Sequence, residues 1–213
     1  PQHWARDLTQ GFRAAWAEPR VRPLLLIALC NGLFGGGFAA LYLVFALRTL
    51  GLSPAMLGLT VACGGIGALA GAGLAAPLAR RLGAGPAILA LGLASAGSAL
   101  LIPLSPAAPV AGMAMLIVSQ LLGDSTGVAY GVLSSSLRQT VLAPDTLGRA
   151  AGAFQAASGG TMLIGALVGG ALGGLIGIRE TLFIAAAGLA LGPLLAMTSP
   201  ALRGVRVIEL EAG

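Results

Sequence analysis

Apolar residues fill this chain in six long blocks, and polar residues are largely confined to the gaps between them. The blocks cover roughly Pro23–Leu47, Met56–Leu78, Gly85–Leu104, Val110–Leu133, Ala150–Ile176 and Thr181–Met197. A helix needs about 20 apolar residues to cross a bilayer core about 30 Å thick. Five blocks meet that length, and the sixth relies on Phe183, Ile184 and its flanks. The pattern predicts an all-α integral membrane protein with six transmembrane helices over residues 23–198. Gly51-Leu52-Ser53-Pro54 joins the first two blocks, with Ser53 placed to cap the second helix. Ser105-Pro106 joins the third and fourth, and Ala143-Pro144-Asp145-Thr146 lies between the fourth and fifth. Gaps this short make sequence neighbours antiparallel and leave no room for an attached soluble domain.

Residues 1–22 read as an amphipathic lead-in. Leu8, Phe12 and Trp16 recur every four positions, while Arg6, Asp7 and Arg13 lie elsewhere on the wheel. That is the pattern of an interfacial helix with a tryptophan anchor; a disordered linker is the other reading of this stretch. Pro19 and Pro23 end it and start the first span. Residues 199–213 read as a tail. The chain opens on Pro1 with neither an initiating Met nor a signal peptide, as expected of a piece of a longer polypeptide.

Charge follows the same punctuation. All 12 basic residues are arginines. Arg6, Arg13, Arg20, Arg22, Arg80, Arg81, Arg138, Arg149, Arg203 and Arg206 fall in one alternating set of gaps, and only Arg48 and Arg179 in the other. Arginine excess marks the cytoplasmic side, so both ends of the chain are expected there. The composition agrees: 57% of residues are hydrophobic and 9% charged, against about 25% charged in a soluble domain. The net charge of +5 is spread over membrane-flanking gaps without an aromatic-interleaved basic patch. It therefore speaks for contact with anionic lipid heads and against nucleic acid. The lack of lysine, with abundant alanine and glycine, points to a GC-rich bacterial genome.

Enzymatic chemistry has no foothold. The single histidine, His3, lies in the lead-in, and no Ser-His or Cys-His pair is available. No His/Cys/carboxylate cluster has metal-ligand spacing, and Gly64-Gly65-Ile66-Gly67 lacks the lysine of a phosphate loop. Cys30 and Cys63 lie inside blocks and read as small packing residues. No cofactor and no metal are expected.

The blocks differ in kind. The second and fifth are glycine-rich, and the pairs Gly67/Gly71, Gly165/Gly169, Gly169/Gly173 and Gly170/Gly174 are each four residues apart. Such pairs let helix backbones approach closely in lipid. The third and sixth are nearly featureless, as expected of helices that meet lipid on most sides. The first and fourth carry the polar groups. Resemblance of block two to five and of three to six is what a pair of three-helix repeats would give.

Asp124 is the only acidic residue inside a block. A charge at mid-depth costs about 2.5–3.5 kcal/mol on insertion scales. Gln120, Asp124, Gly127, Gly131, Ser134 and Arg138 share one helix face, a stripe that reads as the wall of a water-accessible cavity. There a carboxylate can carry a proton or meet a cationic substrate. The bland reading is a structural Asp, protonated or hydrogen-bonded to a neighbouring helix. In block one Asn31, Gly35, Phe38 and Tyr42 form a second stripe suited to an amphipathic molecule, or to helix packing by Asn31 and an interfacial Tyr42. In block five Gln155, Ser158 and Met162 share a face.

The stretch Leu78-Ala79-Arg80-Arg81-Leu82-Gly83 resembles the second-half copy of the cytoplasmic loop motif of the major facilitator superfamily, with Ala79 where that motif has an acid. Ser136-Leu137-Arg138-Gln139-Thr140 with Pro144-Asp145-Thr146-Leu147-Gly148-Arg149 is similar to the loop between helices ten and eleven of its bacterial drug-efflux branch, which includes macrolide-efflux and enterobactin-exporter-like proteins. Arg6-Asp7-Leu8 through Gly11, Phe12, Trp16, Pro19 and Arg22 resembles the end of that branch's central loop. The resemblance implies that the six blocks are helices seven to twelve. It implies that the first and fourth line a cavity, that the second and fifth pack near a missing N-terminal six-helix half, and that the third and sixth face lipid. It further implies a bacterial inner-membrane secondary transporter, exporting small amphipathic molecules against protons by alternating access. A complete six-span protein acting as a homodimeric transporter or scaffold is the alternative.

Overall fold

The computed structural model describes residues 3–206, with side chains from Arg6 onward; residues 1–2 of the predicted lead-in and 207–213 of the predicted tail lie outside the described residues. Helix α1 covers His3–Ala17 and α2 Arg22–Val44, continued by a π-helical turn over Phe45–Thr49. Then come α3 (Pro54–Leu82), α4 (Ala84–Leu104), α5 (Pro109–Val141), α6 (Pro144–Leu175), α7 (Ile178–Ala196) and the short α8 (Pro200–Arg203). Helices α2 to α7 are each long and apolar enough to cross a membrane. A helix is the natural answer to lipid, because it satisfies its own backbone hydrogen bonds within one segment.

The helices start and stop where capping chemistry directs. Ser53 Oγ accepts from the Met56 amide at 3.2 Å at the start of α3. Proline stands in the first turn of α2, α3, α5 and α6, where its missing N–H costs nothing. Arg80 and Arg81 occupy the last turn of α3 and Arg138 that of α5, while Asp145 sits in the first turn of α6. Each charge complements the helix dipole at its end. This corrects one expectation. Arg138, Pro144, Asp145 and Arg149 are helical rather than part of a loop, and only Leu142 and Ala143 separate α5 from α6. Apolar blocks mark the lipid-immersed part of a helix, whereas the polar turns beyond it are set by caps and dipoles.

Packing reveals the repeat. The most extensive contacts are α2 with α6 and α3 with α5, followed by α2 with α7 and α4 with α5. Exchanging the first three spans for the last three leaves this scheme unchanged. The register is preserved as well. On one side Gly64 meets Asp124, Gly67 meets Leu121 and Gly71 meets Ser125; on the other Met162 meets Gly36, Gly165 meets Leu33 and Gly169 meets Gly37. The displacement in residue number is the same in all three pairs, on each helix. It also carries Tyr42 onto Tyr130, the chain's two tyrosines. Since α2 and α5 run in opposite directions, the repeat is inverted.

Glycine explains how close these helices come. A Cβ at Gly67 would lie 2.5 Å from the Leu121 carbonyl oxygen, and one at Gly71 2.8 Å from Ser125 Cα. Gly165 and Gly169 abut Leu33 and Gly37 in the same way, and Gly173 is covered by the Leu41 side chain. Gly170 and Gly174 differ: a Cβ at either meets nothing within 4 Å, so that pair makes no contact inside this bundle. Both lie on the outward face of α6, one residue round from the packed positions.

Exposure also departs from expectation. The featureless α4 has 44% of its most apolar stretch buried in the bundle, the glycine-rich α6 only 17%. Helix α4 packs against both α5 and α7, and the Ser98 carbonyl accepts from Ser119 Oγ at 2.8 Å. A helix without polar landmarks is thus well covered, and the glycine-rich one is open along much of its length. Helix α1 departs too. It docks on α6, with Ala15 fully buried and Gly11 against the Arg149 backbone. Trp16 stays 47% exposed, and the Arg22 guanidinium stacks 4.3 Å from its ring. In the turn after α1, Arg20 Nε donates to Glu18 Oε1 at 2.8 Å, which holds the Glu18 carboxyl below its ordinary value.

Two apolar cores close the bundle. One lies at the arginine-rich end around Leu24, Ile27, Leu133, Leu137 and Leu202. The other lies at the opposite end around Phe45, Leu50, Leu116 and Leu182, where Arg179 Nη1 donates to the Pro103 carbonyl at 2.8 Å.

Candidate functional site

The polar residues between these cores fall into two groups. The first lines a cleft of about 210 Å³ toward the arginine-rich end. Asn31, with Leu24 and Ala28, comes from α2; Tyr130, Ser134 and Arg138 from α5; Phe154, Gln155 and Ser158 from α6. Residues singled out on three separate blocks therefore converge. Tyr130 and Phe154 were not foreseen, although Tyr130, Ser134 and Arg138 recur every four positions and share a face.

Arg138 dominates this cleft electrostatically. Its Cζ lies 4.3 Å from the centre of the Phe154 ring, and Nη2 donates to Ser135 Oγ at 2.9 Å. The ion pairs among the described residues, Arg20–Glu18 and Arg149–Asp145, lie elsewhere. The lining supplies amides and hydroxyls but no carboxylate. A half-buried guanidinium is thus met by an aromatic face and neutral dipoles. A second cleft of about 350 Å³, at the ends of α5 and α6, also touches Arg138, together with Ser135, Gln139 and Gly148. The guanidinium stands between the two.

The second group is centred on Asp124. This half-buried carboxylate points at Gly64 of α3, with Gln120 beside it. The Tyr42 phenol of α2 lies within electrostatic reach of Asp124 and next to Thr60. The Tyr42 oxygen is buried and makes no hydrogen bond among the described residues, while the Thr60 hydroxyl donates to the Leu57 carbonyl at 2.7 Å. Asp124 thus sits against Gly64 where α3 meets α5, apart from the cleft that Asn31 lines. The reason is Gly64: any Cβ there would run into the carboxylate. The absent side chain of Gly64 is what admits the acid. The first block's stripe divides accordingly. Asn31 joins the Arg138 cleft, and Phe38 and Tyr42 pack on the opposite core.

This notch gives a direct test. Gly64→Val should displace the carboxylate at a cost of about 1–3 kcal/mol, the usual scale for overpacking. Gly65→Val, where a Cβ meets nothing within 4 Å in this bundle, should cost less. Thermal unfolding of both variants in one detergent decides; equal midpoints would show that the notch does not constrain Asp124.

The family model of the Major Facilitator Superfamily matches residues 24–207, taking in all six spans. The chain belongs to the major facilitator superfamily. Members of this family are membrane transporters rather than enzymes. The inverted three-helix repeats and six apolar helices are consistent with half of a major facilitator fold. No curated protein and no solved structure matches the chain. Among the described residues no group of three or more His, Cys, Asp or Glu side chains could hold a metal.

Proposed function

We propose that the chain is the C-terminal half of a proton-driven exporter of small amphipathic molecules, in the bacterial inner membrane, working by alternating access. The observation that carries this reading is the convergence of Asn31, Arg138, Gln155 and Ser158 on one cleft, with a titratable Asp124 held separately in the α3–α5 seam. A substrate path and a coupling carboxylate on different helix contacts are what an antiporter needs. The open, glycine-bearing faces of α3 and α6 support a further six-helix half as partner: Gly58, Gly65, Gly73, Gly159, Gly170 and Gly174 meet nothing in this chain. The same faces suit a second copy of the chain, which is the homodimer reading. The reading frame upstream of Pro1 separates the two. Six further spans with a basic loop after the second support the exporter; a start codon immediately before Pro1 would sink it.

In this reading the arginine-rich end is cytoplasmic. Cysteine labelling tests it, with targets chosen for exposure: Ser105 is fully buried, whereas Ser53, Ala107 and Thr140 are exposed. In intact cells an impermeant maleimide should label Ser53→Cys and Ala107→Cys and spare Thr140→Cys until the membrane is opened. The opposite pattern reverses the orientation.

A further inference from the structure

Arg138 is charged at any physiological pH, half-buried, and without a carboxylate partner among the described residues. Removing such a charge from water is costly unless an opposite charge or good hydrogen bonds replace the solvent. The Phe154 face and the single bond to Ser135 answer only part of that need. The guanidinium carries five N–H groups in a fork that fits an oxyanion with two parallel bonds. Around it the cleft offers the amides of Asn31 and Gln155 and the hydroxyls of Ser134 and Ser158, groups that can each donate to an oxyanion. Leu24, Ala28 and the rings of Tyr130 and Phe154 supply an apolar wall. The acidic residue at mid-depth, Asp124, lies in the other group, against Gly64.

We propose that this cleft binds the oxyanion head of an amphipathic organic anion, with Arg138 as the charge-pairing residue and the α2–α6 wall holding the apolar body. The proposal rests on the transporter reading for its meaning, and it names the substrate class of that cleft: carboxylate- or sulfonate-bearing amphiphiles rather than cations. The larger cleft of about 350 Å³ beyond Arg138 gives such an anion an approach from the arginine-rich end, and Arg138 is the charged residue of its lining. A phospholipid headgroup presents the same oxyanion chemistry, and the test separates the two sources.

The full-length protein is reconstituted in nanodiscs of phosphatidylcholine, and octanesulfonate binding is measured by titration calorimetry at equilibrium. Octyltrimethylammonium, of equal chain length and opposite fixed charge, is the control. Octanesulfonate should bind saturably, and Arg138→Gln should weaken it at least tenfold, with Arg138→Lys recovering part of the loss. Asn31→Ala with Gln155→Ala should weaken it several-fold in a protein whose charge is untouched, which keeps the test intact if Arg138→Gln does not fold. Equal binding by wild type and the double amide variant, or preference for octyltrimethylammonium, overturns the proposal. Loss of octanesulfonate binding when phosphatidylglycerol is added to the nanodiscs assigns the cleft to lipid heads and overturns it as a substrate site. Binding is measured without a gradient, so the two readings can fail separately: saturable octanesulfonate binding here, with no driven uptake of either probe in proteoliposomes, would count against the exporter reading and leave the anion site standing.

Discussion

Gly169→Leu is expected to remove most of the folded protein from the membrane. A Cβ at this position would lie 3.1 Å from the backbone carbon of Gly37, already tighter than ordinary contact, and the obstacle is backbone that cannot swing aside. Helices α2 and α6 form one of the two most extensive contacts of the bundle, so a forced separation is felt along both. Overpacking costs about 1–3 kcal/mol where side chains can yield, and more where they cannot. In lipid, where packing rather than the hydrophobic effect holds helices together, little compensates. Gly170→Leu, one residue on, meets open space within this bundle and should express far better than Gly169→Leu. Leu191→Ala, on a 43% exposed side chain, should be close to wild type. Quantitative fluorescence-detected size exclusion of the three variants decides. Equal loss for Gly169 and Gly170 would mean that the outward face of α6 is as tightly covered as the inward one.

Asp124→Asn is expected to leave protein levels near normal and to abolish or alter the pH dependence of efflux. The substitution keeps the shape that fills the Gly64 notch and removes a charge whose placement at mid-depth costs about 2.5–3.5 kcal/mol. Stability should therefore hold or rise, which isolates the functional effect. The neighbours that would sense the change are Gln120, Thr60 and the buried Tyr42 hydroxyl, groups able to rearrange around a carboxylate that gains or loses a proton. Efflux by the Asn variant at the wild-type rate and with the wild-type pH profile would make Asp124 a structural residue.

Much of the fold was legible because lipid imposes one simple rule on sequence. Six apolar blocks and alternating arginines were enough to count the spans and predict their alternation, and Ser53 marked a helix start that the structure places there. The inverted repeat was legible only as helix character; its register needed the pairs around Gly64 and Gly36. Other features were hidden for physical reasons. The reach of α5 to Val141 and of α6 back to Pro144 depends on caps and dipoles beyond the apolar region. The outward turn of Gly170 depends on which of two adjacent faces of α6 meets α2, and a four-residue spacing is blind to that. The site was half legible. Asn31, Arg138, Gln155 and Ser158 were each visible as polar groups near or within apolar blocks, but their meeting in one cleft follows from the crossing of α2, α5 and α6. Asp124 was visible as a charge, yet its direction was set by a missing side chain on another helix.

The most direct test of the exporter reading is transport by the full-length protein in proteoliposomes under an imposed pH gradient. With an acidic lumen, outward proton flow should drive uptake of at least one amphipathic probe, octanesulfonate or octyltrimethylammonium, above its equilibrium level, and collapsing the gradient with a protonophore should return it to that level. Equilibration of both probes to the same internal level with and without the gradient, in vesicles that hold the gradient, would contradict proton-driven transport.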